Sequence, residues 1–292
     1  MQDCSGFCEY IRDDGSSIVK LKKALYGCVQ SSLVWYNTLT DRLKKLGFSV
    51  NDQDICVMNK TDTKGNQVTI VIHVDDIMLS ARNDEAVEEE LRQLKAAFGE
   101  LTVTRGPVVN YLGMNFDFRQ PEDGVKITMS GFVDEFLNDM DKPIPGIAKT
   151  PAGRDLFTVG DSESVTVEQK DFFHSTVARL LYLGKRVRPD ILVAISYLAK
   201  RVQKPNANDY RKMERVVQYM RGSRELGIVL SATSMLQVLA YIDASHAVHE
   251  DHKGHTGTII SLGRGPIYAK SGSQRIDSKS STERADRTVR LG

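Results

Sequence analysis

Two short apolar runs rich in β-branched residues flank a pair of acidic residues in the first third of the chain. The runs cover residues 69–74 and 77–81, and Asp75 and Asp76 stand between them. This pattern predicts two antiparallel strands joined by a two-residue turn, with both carboxylates at the hairpin tip. Aspartate is common in turns, so the pair has a purely structural explanation. The functional alternative is a site for a hard divalent cation, which prefers carboxylate oxygens.

Apolar residues at helical spacing predict α-helices before and after this hairpin. One helix is predicted over residues 32–46 and a second over residues 84–98, beginning after a cap at Asn83. The second helix is expected to carry its acidic residues on the outer face. In the first helix, Trp35 and Tyr36 are expected to be core residues. Its predicted apolar face consists of Leu33, Tyr36, Leu39, Leu43 and Leu46.

The rest of the chain passes from strands to helices and back to strands. Two paired strands are predicted over residues 111–119 and 124–129. Helices are predicted over 130–140, 167–186, 189–203 and 208–222, and strands over 238–244, 256–262 and 264–270. This order predicts an α+β protein of three units.

The composition is that of an ordinary globular protein. The chain has 292 residues, 41% of them hydrophobic, which is enough for one large or several smaller domains. The four cysteines lie in the first fifth of the chain. No second Cys or His pair follows Cys4 and Cys8 at a suitable spacing, which argues against a zinc site. No apolar stretch is long enough to cross a bilayer, and no signal peptide is evident, so an intracellular protein without a membrane partner is expected.

A net charge of +1 conceals a strongly basic segment. Residues 185–224 contain eleven basic and three acidic residues. A segment of this density suits a polyanion such as a nucleic-acid backbone. The alternative is an ordinary solvated helix surface.

Several motifs occur in an order that is characteristic of one family. Residues 21–36 read L-K-K-A-L-Y-G-C-V-Q-S-S-L-V-W-Y, residues 73–76 read H-V-D-D, and residues 111–114 read Y-L-G-M. Further along stand H-S-T-V-A-R-L-L-Y-L at 174–183, R-P-D-I at 188–191, Y-I-D-A-S at 241–245 and K-S-S-T-E at 279–283. Together they resemble the reverse transcriptase of copia-type LTR-retrotransposon Pol polyproteins, running into the start of ribonuclease H. The ordered set is specific, whereas a lone D-D pair is not.

The resemblance implies an architecture and a chemistry. Residues 1–128 are expected to form a partial polymerase palm, an antiparallel sheet with helices. Residues 129–235 are expected to form a mostly helical thumb or connection, and residues 236–292 an incomplete ribonuclease H-like α/β start. The resemblance assigns Asp75 and Asp76 as catalytic ligands of Mg²⁺ or Mn²⁺, and Asp243 as the first carboxylate of the ribonuclease H site.

The same resemblance assigns contacts to dNTP and to an RNA or DNA template–primer duplex. Gln30 is expected to contact the incoming nucleotide; the alternative is a surface role at a helix end. The primer grip corresponds to Tyr111, Leu112, Gly113 and Met114, for which an ordinary strand with a bulge is the alternative. The nucleic-acid backbone is assigned to Lys185, Arg186, Arg188, Lys200, Arg201, Arg211, Lys212 and Arg215. Family members act in the cytoplasm or a virus-like particle with nuclear access, and the oligomeric state stays open.

The chain departs from the family pattern near both ends. The family carries another palm aspartate in a motif like D-V-K-T-A-F-L, which this sequence lacks, and residues 1–7 resemble a segment that lies downstream of it. After Glu283 the family continues A-E-L-I-G, with a second ribonuclease H ligand, where this chain reads R-A-D-R-T. A shifted reading frame restores the family residues in one back-translation, so a frameshift is our hypothesis for this tail.

These departures lead us to expect a catalytically incomplete chain, derived from an RNA-directed DNA polymerase with partial ribonuclease H and inactive by itself. One alternative is a nucleic-acid-binding remnant that acts through the basic helices. Another is a polymerase that a second polypeptide completes.

Overall fold

The computed structural model describes residues 14–16, 27–160, 162–233 and 237–274. The chain divides into two compact units, Met1–Val103 and Thr104–Gly292. The pairings between named strands are antiparallel and are accompanied by six α-helices among the described residues, so the α+β class is confirmed. The finer division into palm, thumb or connection and ribonuclease H start stays a prediction. The motifs predicted within 1–7, 21–26 and 279–283, and the tail after them, lie outside the described residues.

The first unit is a four-stranded sheet with two helices. Its elements are α1 (Val29–Lys45), β1 (Ser49–Val50), β2 (Val57–Thr61), β3 (Gln67–His73), β4 (Asp76–Ser80) and α2 (Asp84–Phe98). The strands lie in the order β1-β2-β3-β4. The predicted hairpin is therefore present, α2 has its predicted bounds, and Asn83 caps it by accepting a hydrogen bond from the Ala86 amide at 2.9 Å.

The core of this unit depends on the alternation of side chains along β3. Val68, Ile70 and Ile72 are buried, whereas the residues between them are not. Successive strand residues point to opposite faces, so one face of the sheet is buried. It packs against residues of both helices, including Leu39 and Leu43 of α1 and Leu94 of α2. The two helices consequently cover the same face.

Two expectations about these helices are wrong. Leu33 is 62% exposed and Trp35 is 40% exposed, because the first turns of α1 extend beyond the cluster that buries Leu39. On α2, Glu90 is buried rather than on the outer face. Its Oε1 lies 2.7 Å from the Lys60 Nζ, and this partner compensates for the desolvation of the carboxylate.

The second unit contains two further sheets and the remaining helices. Its elements are β5 (Val108–Tyr111), β6 (Met114–Asp117), β7 (Val125–Thr128), α3 (Ser130–Asn138), α4 (Val167–Arg186), α5 (Leu192–Arg201), α6 (Ala207–Gly222), β8 (Ile228–Ala232), β9 (Leu239–Ser245), β10 (His255–Ser261), β11 (Gly263–Arg264) and β12 (Tyr268–Ser273). One sheet has the order β11-β8-β7-β6-β5 and the other β12-β10-β9. The sequence patterns had not indicated β1, β2, β8 or residues 108–110 of β5.

The helices of the second unit form its core. Thr166 and Asn206 cap α4 and α6 through reciprocal hydrogen bonds with Gln169 and Asp209, which fixes where these helices begin. The buried cluster combines residues of α4, α5 and α6 with residues of α3 and β7. A short 3-10 turn, Pro189–Ile191, joins α4 to α5 in place of the continuous helix expected from residue 189.

A buried histidine pair lies where α5 meets the sheet of β9, β10 and β12. The His249 Nε2 and His255 Nδ1 atoms are 3.0 Å apart, and the His255 Nε2 is 2.7 Å from the Ser271 Oγ. The Ser196 Oγ of α5 lies 3.4 Å from the same His255 nitrogen. Burial, together with the neighbouring His249 and Lys200, lowers the pKa of His255 to about 4.

Low pH is expected to destabilise the folded protein through this histidine pair. The pKa of His255 lies below its ordinary 6.5, so the unfolded chain binds more protons between about pH 6.5 and 4. The free energy of unfolding should fall as the pH drops through this range, by up to about 3 kcal/mol from His255. Urea unfolding at several pH values measures the loss, and His255→Gln should reduce it. The exposed His246 provides a control, His246→Gln, which should keep the wild-type pH dependence; equal pH dependence in both variants would contradict the assignment.

Candidate functional site

The acidic hairpin is displaced by one residue from the sequence prediction. His73 pairs with Asp76 and Ile72 with Ile77 across β3 and β4. The two turn residues are therefore Val74 and Asp75, and Asp76 is the first residue of β4. Val74 has a φ of 56°, in the left-handed region that β-branched residues rarely adopt.

Both carboxylates are exposed, and the register fixes the face on which Asp76 lies. Cross-strand partners in an antiparallel pair share a face of the sheet. Asp76 therefore lies with His73, opposite to the face that buries Ile72. This is the face that α1 and α2 leave uncovered.

Farther along, the uncovered face carries a row of polar side chains. The Thr69 hydroxyl donates to the Asn59 Oδ1 at 2.9 Å. The Gln67 amide donates to the Thr69 hydroxyl at 3.0 Å. These residues hold one another in place and present a polar surface on the same face as Asp76.

The donor chemistry of the hairpin suits a hard divalent cation. Asp75 and Asp76 together offer carboxylate oxygens, the ligands that Mg²⁺ and Mn²⁺ prefer. Within the described ranges, no group of three or more His, Cys, Asp or Glu residues lies close enough to hold a metal ion. The hairpin thus supplies two carboxylate ligands, and a bound metal ion would need further ligands in addition to them.

Helix α1 reaches the hairpin through one side chain. The Trp35 Nε1 donates a hydrogen bond to the Val74 carbonyl at 2.7 Å. Gln30 is exposed and lies five residues before Trp35, about 7.5 Å further along the helix axis at 1.5 Å per residue. The N-terminal half of α1, with Gln30 near its start, is therefore at the hairpin end of the unit. Contact between Gln30 and a nucleotide stays a prediction.

Residues 111–114 form a tight turn instead of a strand. Tyr111 ends β5 and pairs with Met114, which begins β6. Leu112 and Gly113 have φ values of 53° and 75°, as in a type I′ hairpin turn. The continuous strand expected from residue 111, and its bulged alternative, are therefore wrong. The primer-grip role stays a prediction.

The basic segment contains both exposed and buried side chains. Those that face solvent are Lys185, Arg186, Lys200, Arg211 and Arg215. Arg201 is half-buried, and its Nε donates to the buried Asp209 at 2.9 Å. The exposed residues stay predicted contacts to a nucleic-acid backbone.

For two residues of this set, the predicted contact to a nucleic-acid backbone is wrong. Arg188 is 1% exposed; its guanidinium donates to both carboxylate oxygens of Asp190, at 3.0 and 2.8 Å, and to the Ser223 carbonyl at 2.9 Å. The Lys212 Nζ donates to the Thr158 carbonyl at 2.6 Å, and burial lowers its pKa. Both charges are used inside the fold, so neither side chain is available to a phosphate.

The first 147 residues match the family described as reverse transcriptase (RNA-dependent DNA polymerase). The chain belongs to this family. The matched part contains α1, the Asp75–Asp76 hairpin and the Tyr111–Met114 turn. No solved structure matches the chain.

Relatives of the chain include transposon proteins. A transposon Ty5-1 protein of Saccharomyces cerevisiae is 24% identical over 83% of the chain and 77% of its own length. The retrovirus-related Pol polyprotein from transposon RE1 of Arabidopsis thaliana is 26% identical over 99% of the chain. The transposon Ty1-ER2 Gag-Pol polyprotein of Saccharomyces cerevisiae is 24% identical over 91% of it. The chain spans 19% and 16% of these two polyproteins. The resemblance to copia-type retrotransposon Pol proteins is confirmed.

Asp243 lies in the second unit of this reverse transcriptase chain. It is an exposed residue of β9 and stands opposite Gly257 of β10. The motif at 279–283, which the resemblance places in the same ribonuclease H domain, is outside the described residues. The metal-binding role of Asp243 stays a prediction. Among the described helices, none is long and apolar enough to cross a membrane.

The burial of Arg188 predicts a structural effect. Arg188→Ala leaves the Asp190 carboxylate and the Ser223 carbonyl without this partner and creates a cavity, so the free energy of unfolding should fall by about 3 kcal/mol. Lys185→Ala, at an exposed position of the same segment, should change it by less than about 0.5 kcal/mol. Urea denaturation followed by circular dichroism measures both. A small, equal effect in the two variants would show that Arg188 is not structural.

Proposed function

We propose that this chain is the part of a retrotransposon reverse transcriptase that carries two metal-binding carboxylates of the polymerase site, Asp75 and Asp76. The observation that carries the proposal is their exposure at a hairpin tip, with Asp76 on the uncovered polar face, inside the segment that matches the family. A divalent ion held there would orient the reacting oxygens and neutralise charge on the incoming triphosphate. Gln30, near the hairpin end of α1, would hydrogen-bond the nucleotide without adding charge.

We further propose that the chain does not polymerise by itself. Nucleotidyl transfer of this type uses two ions, and two neighbouring carboxylates are too few ligands to hold both. The described residues bring no third acidic group to the pair. The template–primer duplex and the dNTP are then partners of the complete polymerase. Asp243, exposed on the second unit, would contribute a single carboxylate to a partial ribonuclease H site.

Metal binding tests the proposed role of the pair. Mn²⁺ titrated into the protein should broaden the amide resonances of residues 73–77 before others, because the paramagnetic ion sits beside them. Asp75→Asn and Asp76→Asn should each abolish the selective broadening without changing the free energy of unfolding by more than about 0.5 kcal/mol, because both residues are exposed. Asp52→Asn, at another exposed acid of the same unit, should retain it. Equal broadening in all three variants would contradict the proposal.

Primer extension separates the incomplete chain from a self-sufficient polymerase. With Mg²⁺, dTTP and an oligo(dT)-primed poly(A) template, the purified chain is expected to give no product. Synthesis that disappears in Asp75→Asn would overturn the proposed inactivity while supporting the assignment of the hairpin. Synthesis restored only by a second polypeptide would support the completed-polymerase alternative.

A second candidate function, binding to a nucleic-acid backbone, rests on the exposed part of the basic segment. Lys185 and Arg186 occupy the last turn of α4, and Arg211 and Arg215 lie one turn apart on the exposed side of α6. Residues that are four apart share a helix face, so both guanidinium groups of α6 can follow one phosphate backbone. Such contacts are independent of sequence.

Salt dependence tests this candidate. If these side chains neutralise phosphates, the logarithm of the binding constant for duplex should fall linearly with the logarithm of salt concentration. The double change Arg211→Ala and Arg215→Ala should make the slope shallower by about two. Arg92→Ala, at an exposed base of the acidic helix α2, should leave the slope unchanged. Filter binding between low and physiological salt measures the slopes; a wild-type slope near zero excludes phosphate-driven binding.

A further inference from the structure

The turn that bears Asp75 is strained, and a side chain from another element holds its backbone. Val74 occupies the first turn position with a φ of 56°. Among the described residues with positive φ, Asp75 does not appear, which matches a type II′ turn rather than type I′. Glycine is the usual residue at this position. A valine in this conformation is strained, so another interaction has to favour it.

The Trp35 indole supplies that restraint. Its Nε1 donates to the Val74 carbonyl at 2.7 Å, across 39 residues of sequence. Trp35 is 40% exposed and is absent from the apolar cluster that contains Leu39 and Leu43. Trp35 is therefore poorly explained as a core residue, and its polar contact with the turn is its most specific interaction.

The carbonyl that accepts this bond belongs to the central peptide of the turn. Type I′ and type II′ turns differ mainly by a flip of this peptide, which joins Val74 to Asp75. A hydrogen bond to the Val74 oxygen favours one orientation of the peptide plane. The same plane sets the direction in which the Asp75 side chain leaves the backbone, while Asp76 is already fixed by its pairing with His73.

We propose that Trp35 is a positioning residue: by holding the Val74 carbonyl, it keeps Asp75 aligned with Asp76 so that both carboxylates reach one divalent ion. This inference rests on the proposed metal-binding role of the pair. It adds a residue that touches neither metal nor nucleotide and that acts on the orientation of the first carboxylate.

The adjacent residue offers a matched control. The Tyr36 hydroxyl donates to the Ile55 carbonyl, also at 2.7 Å, and so joins α1 to the loop before β2 instead of to the turn. Trp35→Phe and Tyr36→Phe each remove one such hydrogen bond and keep an aromatic ring. A general loosening of α1 would affect both variants alike, whereas positioning of the turn would affect only the first.

Mn²⁺ affinity in the folded protein, measured from the broadening of residues 73–77, is the readout. Trp35→Phe should weaken Mn²⁺ binding about fivefold to tenfold, the range set by loss of one hydrogen bond, and should shift the Asp75 amide resonance. Tyr36→Phe should stay within about twofold of wild type. The double variant Trp35→Phe with Val74→Gly should recover affinity, because glycine adopts the turn conformation without steric strain.

The outcomes separate this inference from the proposed function. Wild-type Mn²⁺ affinity in Trp35→Phe overturns the positioning role, even if Asp75→Asn abolishes binding. Equal weakening in Trp35→Phe and Tyr36→Phe, without recovery by Val74→Gly, also overturns it and assigns Trp35 a general structural role. Wild-type Mn²⁺ binding by both Asp75→Asn and Asp76→Asn overturns the proposed function, and this inference falls with it.

Discussion

The alternation of buried and uncovered side chains along β3 is the constraint on which the first unit depends. Val68, Ile70 and Ile72 form the buried face of the sheet, against which both helices pack. A slip of one residue would exchange these for Gln67, Thr69, Val71 and His73 and would bury polar groups. The hydrophobic core therefore fixes the hairpin register. Because Asp76 pairs with His73, the same register sends its carboxylate to the uncovered face.

The second unit uses charge in a different way. Arg188 and Lys212 lie inside the fold with oxygen partners. Asp209, in the first turn of α6, is buried; its carboxylate accepts from Arg201, and its amide donates to the Asn206 cap. Buried charges without such partners are strongly destabilising, so each one specifies a local arrangement of the chain. Lys185, Arg186, Lys200, Arg211 and Arg215 face solvent. One basic segment of the sequence thus serves both the internal order of the helices and the charge of their surface.

Periodicity predicted the elements well where a long pattern had clear ends. Helix α4 was expected at its observed bounds, and Thr166 begins it through a capping box. Periodicity indicates which side of a helix is apolar but not how far the core extends, which is why Leu33 and Trp35 were misassigned. A count of basic residues does not show which side chains are buried, which is why Arg188 was predicted to contact a nucleic-acid backbone. The left-handed backbone of Leu112 and Val74 occurs in two-residue hairpin turns, and neither residue type signals it.

For the candidate site, the ordered motifs identified Asp75 and Asp76, and the register explained their exposure. The hydrogen bond from Trp35 to the turn could not be predicted from sequence, because it joins residues that are 39 positions apart. Spacing along a chain carries no direct information about such a contact. Trp35 and Tyr36 are adjacent in the family motif, yet they bond to different parts of the unit. The Trp35 indole donates to the hairpin turn, and the Tyr36 hydroxyl donates to the loop before β2.

The short strand β11 has a consequence for how the chain could be divided. It follows β10 in sequence but pairs with β8, at the edge of the sheet that also contains β5, β6 and β7. The C-terminal region therefore donates a strand to a sheet built from earlier residues, while its other strands pack on α5 through Ser271. Cutting the polypeptide between β8 and β9 would leave two pieces that each lack part of a shared sheet. The regions on either side of such a cut therefore belong to one folding unit, and neither piece is expected to be stable without the other.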